Sequence, residues 1–480
     1  MITPIRLLHV VCLAMGALIV PGAAVAAAPS SAGGDDDSRI ATTVLHVPAQ
    51  TGPSEPHLAV DPQDPDRMYA VAQVQIPQLL TQELLWRTDD GGRTWVRSPL
   101  LGGSGITSST SGFSVDPVVA AGRNGLVLFG AFTLDADEAA QKAILQVGTR
   151  VSTNHGATFT AFGGADRVTL PLCVFTTGCP QPSGTPGLDK PWLAVDATEG
   201  RFRGFAYLTW VHDFADGRHE LRFAVSRDHG RSYGPPVVLD RSTAGELAGL
   251  EELAQIAVRP DGTVDVVWNA VRHRRAVILH AASTTGGAGF SRPDRVALLR
   301  RDASRAGIVS TLAVSRHGRL GLCWSQSRSP ARYDPVVECK ATDHDGSWGG
   351  VHRLLPADRA REYLPAAAFQ GERLWVAAYV SDRTSTRLVA VHARRHGFAR
   401  PVTVNHWPVP AGRICGPRVP QCGARQTFIG DYIGVVATPR RVAVAYIAPA
   451  SRPTLPNRVV VSTLRLADDR DRSGRRAHAP

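Results

Sequence analysis

Acidic side chains recur at one place in a repeated unit of this 480-residue chain, directly before the first strand of each unit. They are Glu55, Asp116, Asp189, Glu251, Glu252, Glu362 and Asp431. If the units surround a common axis, these carboxyl groups converge on it, and two carboxyl groups are the usual machinery for hydrolysing a glycosidic bond. The alternative is that they cap strand N–H groups or pair with arginines, because structural ion pairs are common. Asp116, Asp189, Glu362 and Asp431 are therefore candidate catalytic residues.

Basic and phenolic side chains recur on the same side of the repeated unit. Arg272, Arg383 and Arg452 fall between the second and third strands, Lys190 follows Asp189, and the tyrosines are Tyr363 and Tyr432. Guanidinium forks bind a carboxylate in a bidentate manner. The arginines and Lys190 are therefore candidate substrate-binding residues.

The elements that must position these residues are short strands. Runs of Val, Leu, Ile, Ala, Trp and Tyr alternate with Gly, Pro, Asp and Asn, and helical periodicity is almost absent. One apolar phrase, as in Pro56–Pro62 or Lys190–Asp196, occurs seven times at intervals of roughly 50 to 75 residues. This spacing predicts an all-β propeller of seven four-stranded blades, with six as the alternative. The last unit has only three strands, and we expect Ala41–Val47 to supply the fourth and close the ring.

A turn motif follows the third strand in three successive units. It reads Thr88-Asp-Asp-Gly-Gly-Arg-Thr-Trp95, Ser152-Thr-Asn-His-Gly-Ala-Thr-Phe159 and Ser226-Arg-Asp-His-Gly-Arg-Ser-Tyr233. The Asp or Asn accepts turn N–H groups, and Gly adopts a backbone angle closed to other residues. Weaker copies occur at Ser283–Phe290 and Asp343–Trp348. The motif is predicted to be structural and to lie on the rim opposite the acidic residues.

These turns resemble the Asp-box of BNR repeat proteins, and the chain is similar in this respect to the sialidase superfamily. The resemblance implies a glycoside hydrolase with a tyrosine nucleophile, a helping glutamate, an aspartate acid and base, and three arginines on the sialic acid carboxylate. Carried onto this chain, it implies roles for Tyr432 or Tyr363, Glu362, Asp116 or Asp189, and Arg272, Arg383 and Arg452. The Arg-Ile-Pro phrase of sialidases is replaced by Gln75-Ile76-Pro77.

Three functions stay open on the sequence. The first is an exo-acting, sialidase-like hydrolase of extracellular glycans. The second uses two carboxylates, for example Asp189 and Glu362, on a neutral polysaccharide. The third is a non-catalytic propeller that binds a glycan, a protein or calcium, for which the acidic ring supplies oxygen ligands although no linear calcium loop is present.

The N-terminal residues predict export. Arg6, an apolar stretch at Leu7–Val20 and the small residues Ala24–Ala27 have the layout of a secretory signal peptide. In an oxidising compartment three close cysteine pairs are expected to form disulfides. The pairs are Cys173 with Cys179, Cys323 with Cys339, and Cys415 with Cys422.

The predicted organisation is a signal peptide at 1–28, a flexible segment at 29–40, the propeller at 41–466 and a disordered basic tail at 467–480. The net charge of +11 comes almost wholly from arginine scattered over loops and the tail, which predicts a solvated surface and no nucleic-acid partner. No later run is long and apolar enough for a membrane span. We expect a secreted monomer that acts on an extracellular glycan or glycoconjugate without a cofactor, calcium being the one candidate metal.

Overall fold

The computed structural model describes residues 39–47, 52–76, 80–98, 113–137, 139–175, 186–242, 254–273, 275–300, 310–328, 334–356, 360–382, 384–405, 409–410, 414–415, 427–449 and 457–466. Several predicted features lie outside these residues. They are the signal peptide, the basic tail, Glu251, Glu252, Cys179, Cys422, Arg383, Arg452 and the side chain of Cys415.

Seven antiparallel sheets of four strands form a β-propeller, which confirms the predicted architecture and blade number. Blades 1 and 2 contain β2 (Gly52–Val60), β3 (Met68–Ile76), β4 (Leu80–Thr88) and β5 (Val96–Ser98), then β6 (Phe113–Ala121), β7 (Val127–Asp137), β8 (Lys142–Ser152) and β9 (Gly163–Pro171). Blades 3 and 4 contain β10 (Gly187–Val195), β11 (Ala206–Asp213), β12 (His219–Ser226) and β13 (Val237–Ser242), then β14 (Gln255–Val258), β15 (Val264–Arg272), β16 (Arg275–Ser283) and β17 (Asp294–Leu298).

The remaining blades are less regular at their outer edges. Blade 5 contains β18 (Ser310–Val314), β19 (Leu320–Ser327), β20 (Pro335–Ala341) and β21 (His352–Arg353). Blade 6 contains β22 (Arg361–Gln370), β23 (Arg373–Ser381) and β24 (Ser385–Arg394), and its fourth position is divided among β25 (Gly397–Phe398), β26 (Val402–Thr403) and β27 (Val409–Pro410). A separate parallel pair joins β28 (Ile414–Cys415) to β29 (Thr427–Phe428).

The N-terminal strand closes the ring, as predicted. Blade 7 consists of β30 (Gly434–Ala437), β31 (Arg441–Ala448), β32 (Arg458–Arg465) and, outermost, β1 (Ile40–Leu45). Strands β1 and β32 are antiparallel, with Ile40 opposite Leu464 and Leu45 opposite Val459. Pairing the first strand with the last leaves the blade complete.

Tryptophans in second strands join neighbouring blades. Trp210 of blade 3 donates its indole N–H to Asp166 of blade 2 at 2.9 Å, and Trp268 of blade 4 donates to Asp240 of blade 3 at 2.6 Å. Both indole rings are fully buried. They lie in the middle of strands that continue to Asp213 and Arg272, and they pack between sheets, where a buried N–H needs an acceptor.

Helix is almost absent, and one 3₁₀ turn spans Leu172–Phe175. No helix of the described segments is long and apolar enough to cross a membrane. Cys323 and Cys339 face each other on β19 and β20 and form the predicted disulfide. Cys173 is also disulfide-bonded, and its predicted partner Cys179 lies outside the described residues.

The three repeated turns, Thr88–Trp95, Ser152–Phe159 and Ser226–Tyr233, share one hydrogen-bond pattern. In the third, Ser226 Oγ accepts the N–H of Gly230 at 2.7 Å, and Asp228 accepts the N–H of Ser232 at 2.9 Å. Asn154 plays the part of Asp228 in the second turn and accepts the N–H of Thr158 at 2.9 Å. Burial alone would raise the pKa of Asp228, but hydrogen bonds from Ser232 and Ser226 lower it to about 2.

The first repeated turn contacts the loop between the first and second strands of its blade. Arg67 in that loop donates to Asp89 at 2.6 Å, and Gly91 donates its N–H to the carbonyl of Asp66 at 2.8 Å. These turns therefore lie on the rim opposite the loops that lead into the innermost strands.

We expect Asp228→Ala to lower the free energy of unfolding by about 1 to 2 kcal/mol, because several turn donors lose their acceptor. Asp228→Asn is the matched control and is expected to cost much less, since Asn154 performs the same role in the neighbouring blade. Urea unfolding of the purified variants measures both effects. Equal losses for the alanine and asparagine variants would contradict the assigned hydrogen bonds.

Candidate functional site

The innermost strands of four blades share an unusual backbone feature. One residue at a β-bulge has a positive φ and is followed directly by proline; the four are Glu55 (φ 52°), Asp116 (φ 55°), Lys190 (φ 50°) and Leu364 (φ 51°). Such a backbone conformation is rare outside glycine, and a bulge re-aims the side chain that it carries. Proline suits the bulge because it has no N–H to withdraw from the strand ladder.

Three of these bulges bring charged side chains together. Lys190 of blade 3 places its ammonium 3.1 Å from Asp116 of blade 2 and 3.7 Å from Glu55 of blade 1. Asp431, in the segment leading into blade 7, lies 2.8 Å from the same nitrogen, and Asp189 lies 3.8 Å from it. We call these five residues the axial cluster. Asp116, Asp189 and Asp431, which were predicted to converge, therefore lie around Lys190.

Burial within the axial cluster is graded. The side chains of Glu55 and Asp116 are 4% and 6% exposed and that of Lys190 is 11% exposed. Asp431 and Asp189 retain 19% and 25% exposure. A ligand that reaches the cluster therefore meets the carboxylates of Asp189 and Asp431 first.

The charges of the axial cluster perturb one another strongly. Burial, together with the neighbouring carboxylates of Asp116 and Asp431, raises the pKa of Glu55 well above its usual value. Burial would also raise the pKa of Asp116, but the Lys190 ammonium and a hydrogen bond with Glu55 lower it instead. Burial would lower the pKa of Lys190, and the surrounding carboxylates reverse this and raise it. The ammonium therefore stays charged across the physiological range.

Glycine at the junction of blades 7 and 1 allows the cluster to close. The backbone N–H of Glu55 donates to the carbonyl of Ile429 at 3.2 Å. Gly430 has a φ of 103°, and a Cβ there would lie 2.4 Å from the backbone nitrogen of Glu55. A residue with a side chain does not fit between Asp431 and Glu55 without moving the backbone.

An aromatic group lies one or two residues further along the same strands, deeper in the ring. Tyr432 makes edge-on contacts with Trp192 and His57, with ring centroids 5.7 and 6.2 Å away. Its hydroxyl donates to the carbonyl of Pro117 at 2.9 Å, and burial raises its pKa well above the usual value. Burial lowers the pKa of His57 to about 4, so that its ring is neutral at pH 7. Tyr432, the predicted nucleophile, is therefore held as a protonated hydrogen-bond donor.

Glu362 and Tyr363 lie apart from the axial cluster. Glu362 is buried between blades 5 and 6 and accepts the N–H of Val337 at 3.1 Å. Tyr363 is hydrogen-bonded to Ser381 at 2.9 Å and stacks on Tyr379 with ring centroids 5.6 Å apart. Burial raises the pKa of Glu362 to about 7. The structure therefore does not bring these two residues to Tyr432, although all were predicted at equivalent positions.

Of the three arginines predicted to form a clamp, the described residues include only Arg272. Its guanidinium is hydrogen-bonded to Asp240 and donates to the carbonyl of Val271 at 2.8 Å. Asp240 also accepts the indole N–H of Trp268, so this carboxylate joins blades 3 and 4. Arg272 therefore forms an ion pair with Asp240 between blades 4 and 3.

Within the described segments no group of three or more His, Cys, Asp or Glu side chains has the geometry to hold a metal ion. In the axial cluster the Lys190 ammonium stands where a cation would balance the carboxylates. The calcium considered from the sequence therefore has no ligand set in this part of the chain.

Glu55 was predicted only as a member of the acidic series, without a role, and His57 and Trp192 were not predicted. The phrase Glu55-Pro56 matches Asp116-Pro117 and Lys190-Pro191, and this shared Xaa-Pro is the sequence signal that could have grouped the three.

No protein-family model and no curated protein matches the sequence. Among solved structures, an α-L-arabinanase from Penicillium chrysogenum is 12% identical with a TM-score of 0.44, covering 72% of this chain and 92% of its own. An ulvan lyase is 10% identical with a TM-score of 0.45, covering 86% and 94%. A sialidase from Trypanosoma rangeli is 12% identical with a TM-score of 0.41, covering 71% of this chain and 54% of its own. Structural likeness at this level carries no argument about function.

Proposed function

We propose that this chain is a secreted, exo-acting glycoside hydrolase that works on extracellular glycans at the axial cluster. The observation that carries the proposal is the convergence of four carboxyl groups and one ammonium from blades 1, 2, 3 and 7 at the axis of the ring. Carboxyl groups at such a site bind sugar hydroxyls and supply acid and base catalysis of glycosidic cleavage.

The position of the cluster supports action on chain ends. Trp192, Tyr432 and His57 pack against each other directly below the charged residues. A saccharide that reaches the charged residues along the axis meets this aromatic group next. We take a terminal sugar to fit such an approach better than the middle of a polymer.

The charge of the cluster supports a neutral sugar. The axial cluster contains four carboxyl groups and the single ammonium of Lys190. Like charges brought together in a buried site repel. The carboxylate of sialic acid is therefore disfavoured here, and Arg272 is already paired with Asp240.

Asp431→Asn is expected to lower kcat/KM about 100-fold on the glycan that the wild type cleaves, because a partly exposed carboxylate of the site is lost. The purified protein is assayed on fluorogenic arabinosides, galactosides and sialosides and on neutral polysaccharides, with chromatography of the released sugars. Asp345→Asn changes an exposed aspartate on the opposite rim and serves as the matched control.

Three outcomes decide between the functions considered. Release of single neutral sugars, lost in Asp431→Asn and kept in Asp345→Asn, supports the proposal. Release of sialic acid that is abolished by Tyr432→Phe or Tyr363→Phe establishes a sialidase instead. Binding of glycans by the folded wild type without release of any sugar overturns the catalytic proposal and leaves a binding propeller.

A further inference from the structure

The carboxyl groups of Glu55 and Asp116 are almost wholly buried and share one cation, the Lys190 ammonium. Two ionised carboxylates in one buried site repel each other, which favours a proton on one of them. Glu55 is the less favoured place for negative charge, since Lys190 Nζ lies 3.7 Å from it but 3.1 Å from Asp116. The geometry therefore puts the proton on Glu55, which donates to the Asp116 carboxylate.

The same ammonium links this acid pair to the exposed part of the site. Lys190 Nζ is closest to Asp431, at 2.8 Å, and Asp431 is the carboxylate on which the proposed function depends. With Glu55 neutral, the ammonium is shared between Asp116 and Asp431. An ionised Glu55 would compete for Lys190 and lose its hydrogen bond to Asp116.

We propose that Glu55 carries the one proton of the axial cluster and acts as the positioning residue that keeps Lys190 directed at Asp431. This inference rests on the function proposed above and deepens it, because it assigns a state of charge in which that site works. Glu55 is a positioning residue and not a catalytic one, because its side chain is almost wholly buried.

The groups that face Glu55 come from three blades. Asp116 lies on blade 2, Lys190 and Asp189 on blade 3, and Asp431 and Tyr432 in the segment that leads into blade 7. Lys190 is the only cation among these five groups, and Tyr432 is uncharged. Release of the Glu55 proton as pH rises therefore adds a negative charge beside the carboxylate of Asp116.

The test compares Glu55→Gln, a neutral isostere that still donates to Asp116, with Glu55→Ala, which removes the hydrogen bond. Glu55→Gln is expected to keep kcat/KM within about tenfold of the wild type at neutral pH and to lose the fall in kcat/KM that the wild type shows as pH rises. Glu55→Ala is expected to lose about 100-fold, because Lys190 and Asp116 are no longer held. A fall with rising pH that persists in Glu55→Gln, or equal losses in both variants, overturns the inference.

A second measurement needs no activity. A group whose pKa is raised in the folded state destabilises the fold increasingly as pH rises above its unfolded value. The difference in melting temperature between Glu55→Gln and the wild type is therefore expected to shift in favour of the variant by roughly 2 °C or more from pH 5 to pH 9. A constant difference would show that Glu55 carries no proton and would overturn the inference. If the protein cleaves none of the glycans but the melting-temperature gain of Glu55→Gln still depends on pH, only the proposed function is overturned.

Discussion

Lys190→Met is expected to lower the free energy of unfolding by about 3 to 5 kcal/mol at neutral pH, the largest effect of any single change considered. The ammonium contacts Asp116 and Asp431 directly, and Glu55 and Asp189 lie within 4 Å of it. Removing it leaves several carboxyl groups desolvated with no cation nearby. These groups come from blades 1, 2, 3 and 7, so the destabilisation includes the junction of blades 7 and 1, where the ring closes.

The destabilisation of Lys190→Met is expected to shrink in acid. Without the ammonium, the buried carboxyl groups bind protons more readily in the folded protein, so that stability recovers as pH falls from 7 toward 4. Lys142→Met, at an exposed lysine of blade 2, is the matched control and is expected to change little. Chemical unfolding of both variants at several pH values measures this, and a loss that is independent of pH would show that packing of the lysine stem, not its charge, supports the cluster.

Glu362→Gln is expected to stabilise the protein by up to about 3 kcal/mol above pH 7. Burial raises the pKa of Glu362 to about 7 in the folded state, whereas an unfolded glutamate titrates at about 4.3. Between these values the unfolded chain is ionised while the folded chain holds the proton, so the wild type loses stability as pH rises. Glutamine has no proton to lose and still offers an oxygen to the N–H of Val337.

The gain from Glu362→Gln should be small at pH 5 and should rise to its full size above pH 7. Glu199→Gln, at an exposed residue of blade 3, controls for the loss of one surface charge. Unfolding in urea at pH 5, 6, 7 and 8 resolves the trend. A gain of equal size at every pH would mean that Glu362 titrates normally and that hydrogen bonding alone explains the change.

The blades could be predicted because the signals for short apolar strands and for the turns between them are local. The phrase that begins each innermost strand, the aromatic within each second strand and the turn Ser226–Tyr233 each involve only a few neighbouring residues. The strand at Ala41–Val47 was predicted from the shortage of strands in the last unit, and it forms over Ile40–Leu45.

The site was harder to predict, since it depends on where the innermost strands contain β-bulges. A plain strand alternates its side chains, so Glu362 and its neighbour Tyr363 point to opposite faces and cannot both serve one centre. The bulges at Glu55, Asp116 and Lys190 change that alternation and turn these three side chains toward one another. Lys190 was considered as a ligand for the substrate, whereas its ammonium binds the carboxylates of the protein itself.

The pairing of β1 with β32 sets an order for folding during synthesis. Thr42 and Ser462 share a hydrogen bond across 420 residues, so β1 finds its partner only after β32 has been made. Closing so long a loop adds little to the equilibrium cost, because that cost grows only with the logarithm of length. It delays the final step instead, since contacts distant in sequence form slowly. Blades 1 to 6 contain no residue of β32, so β1 stays an unpaired strand edge until that strand of blade 7 is available.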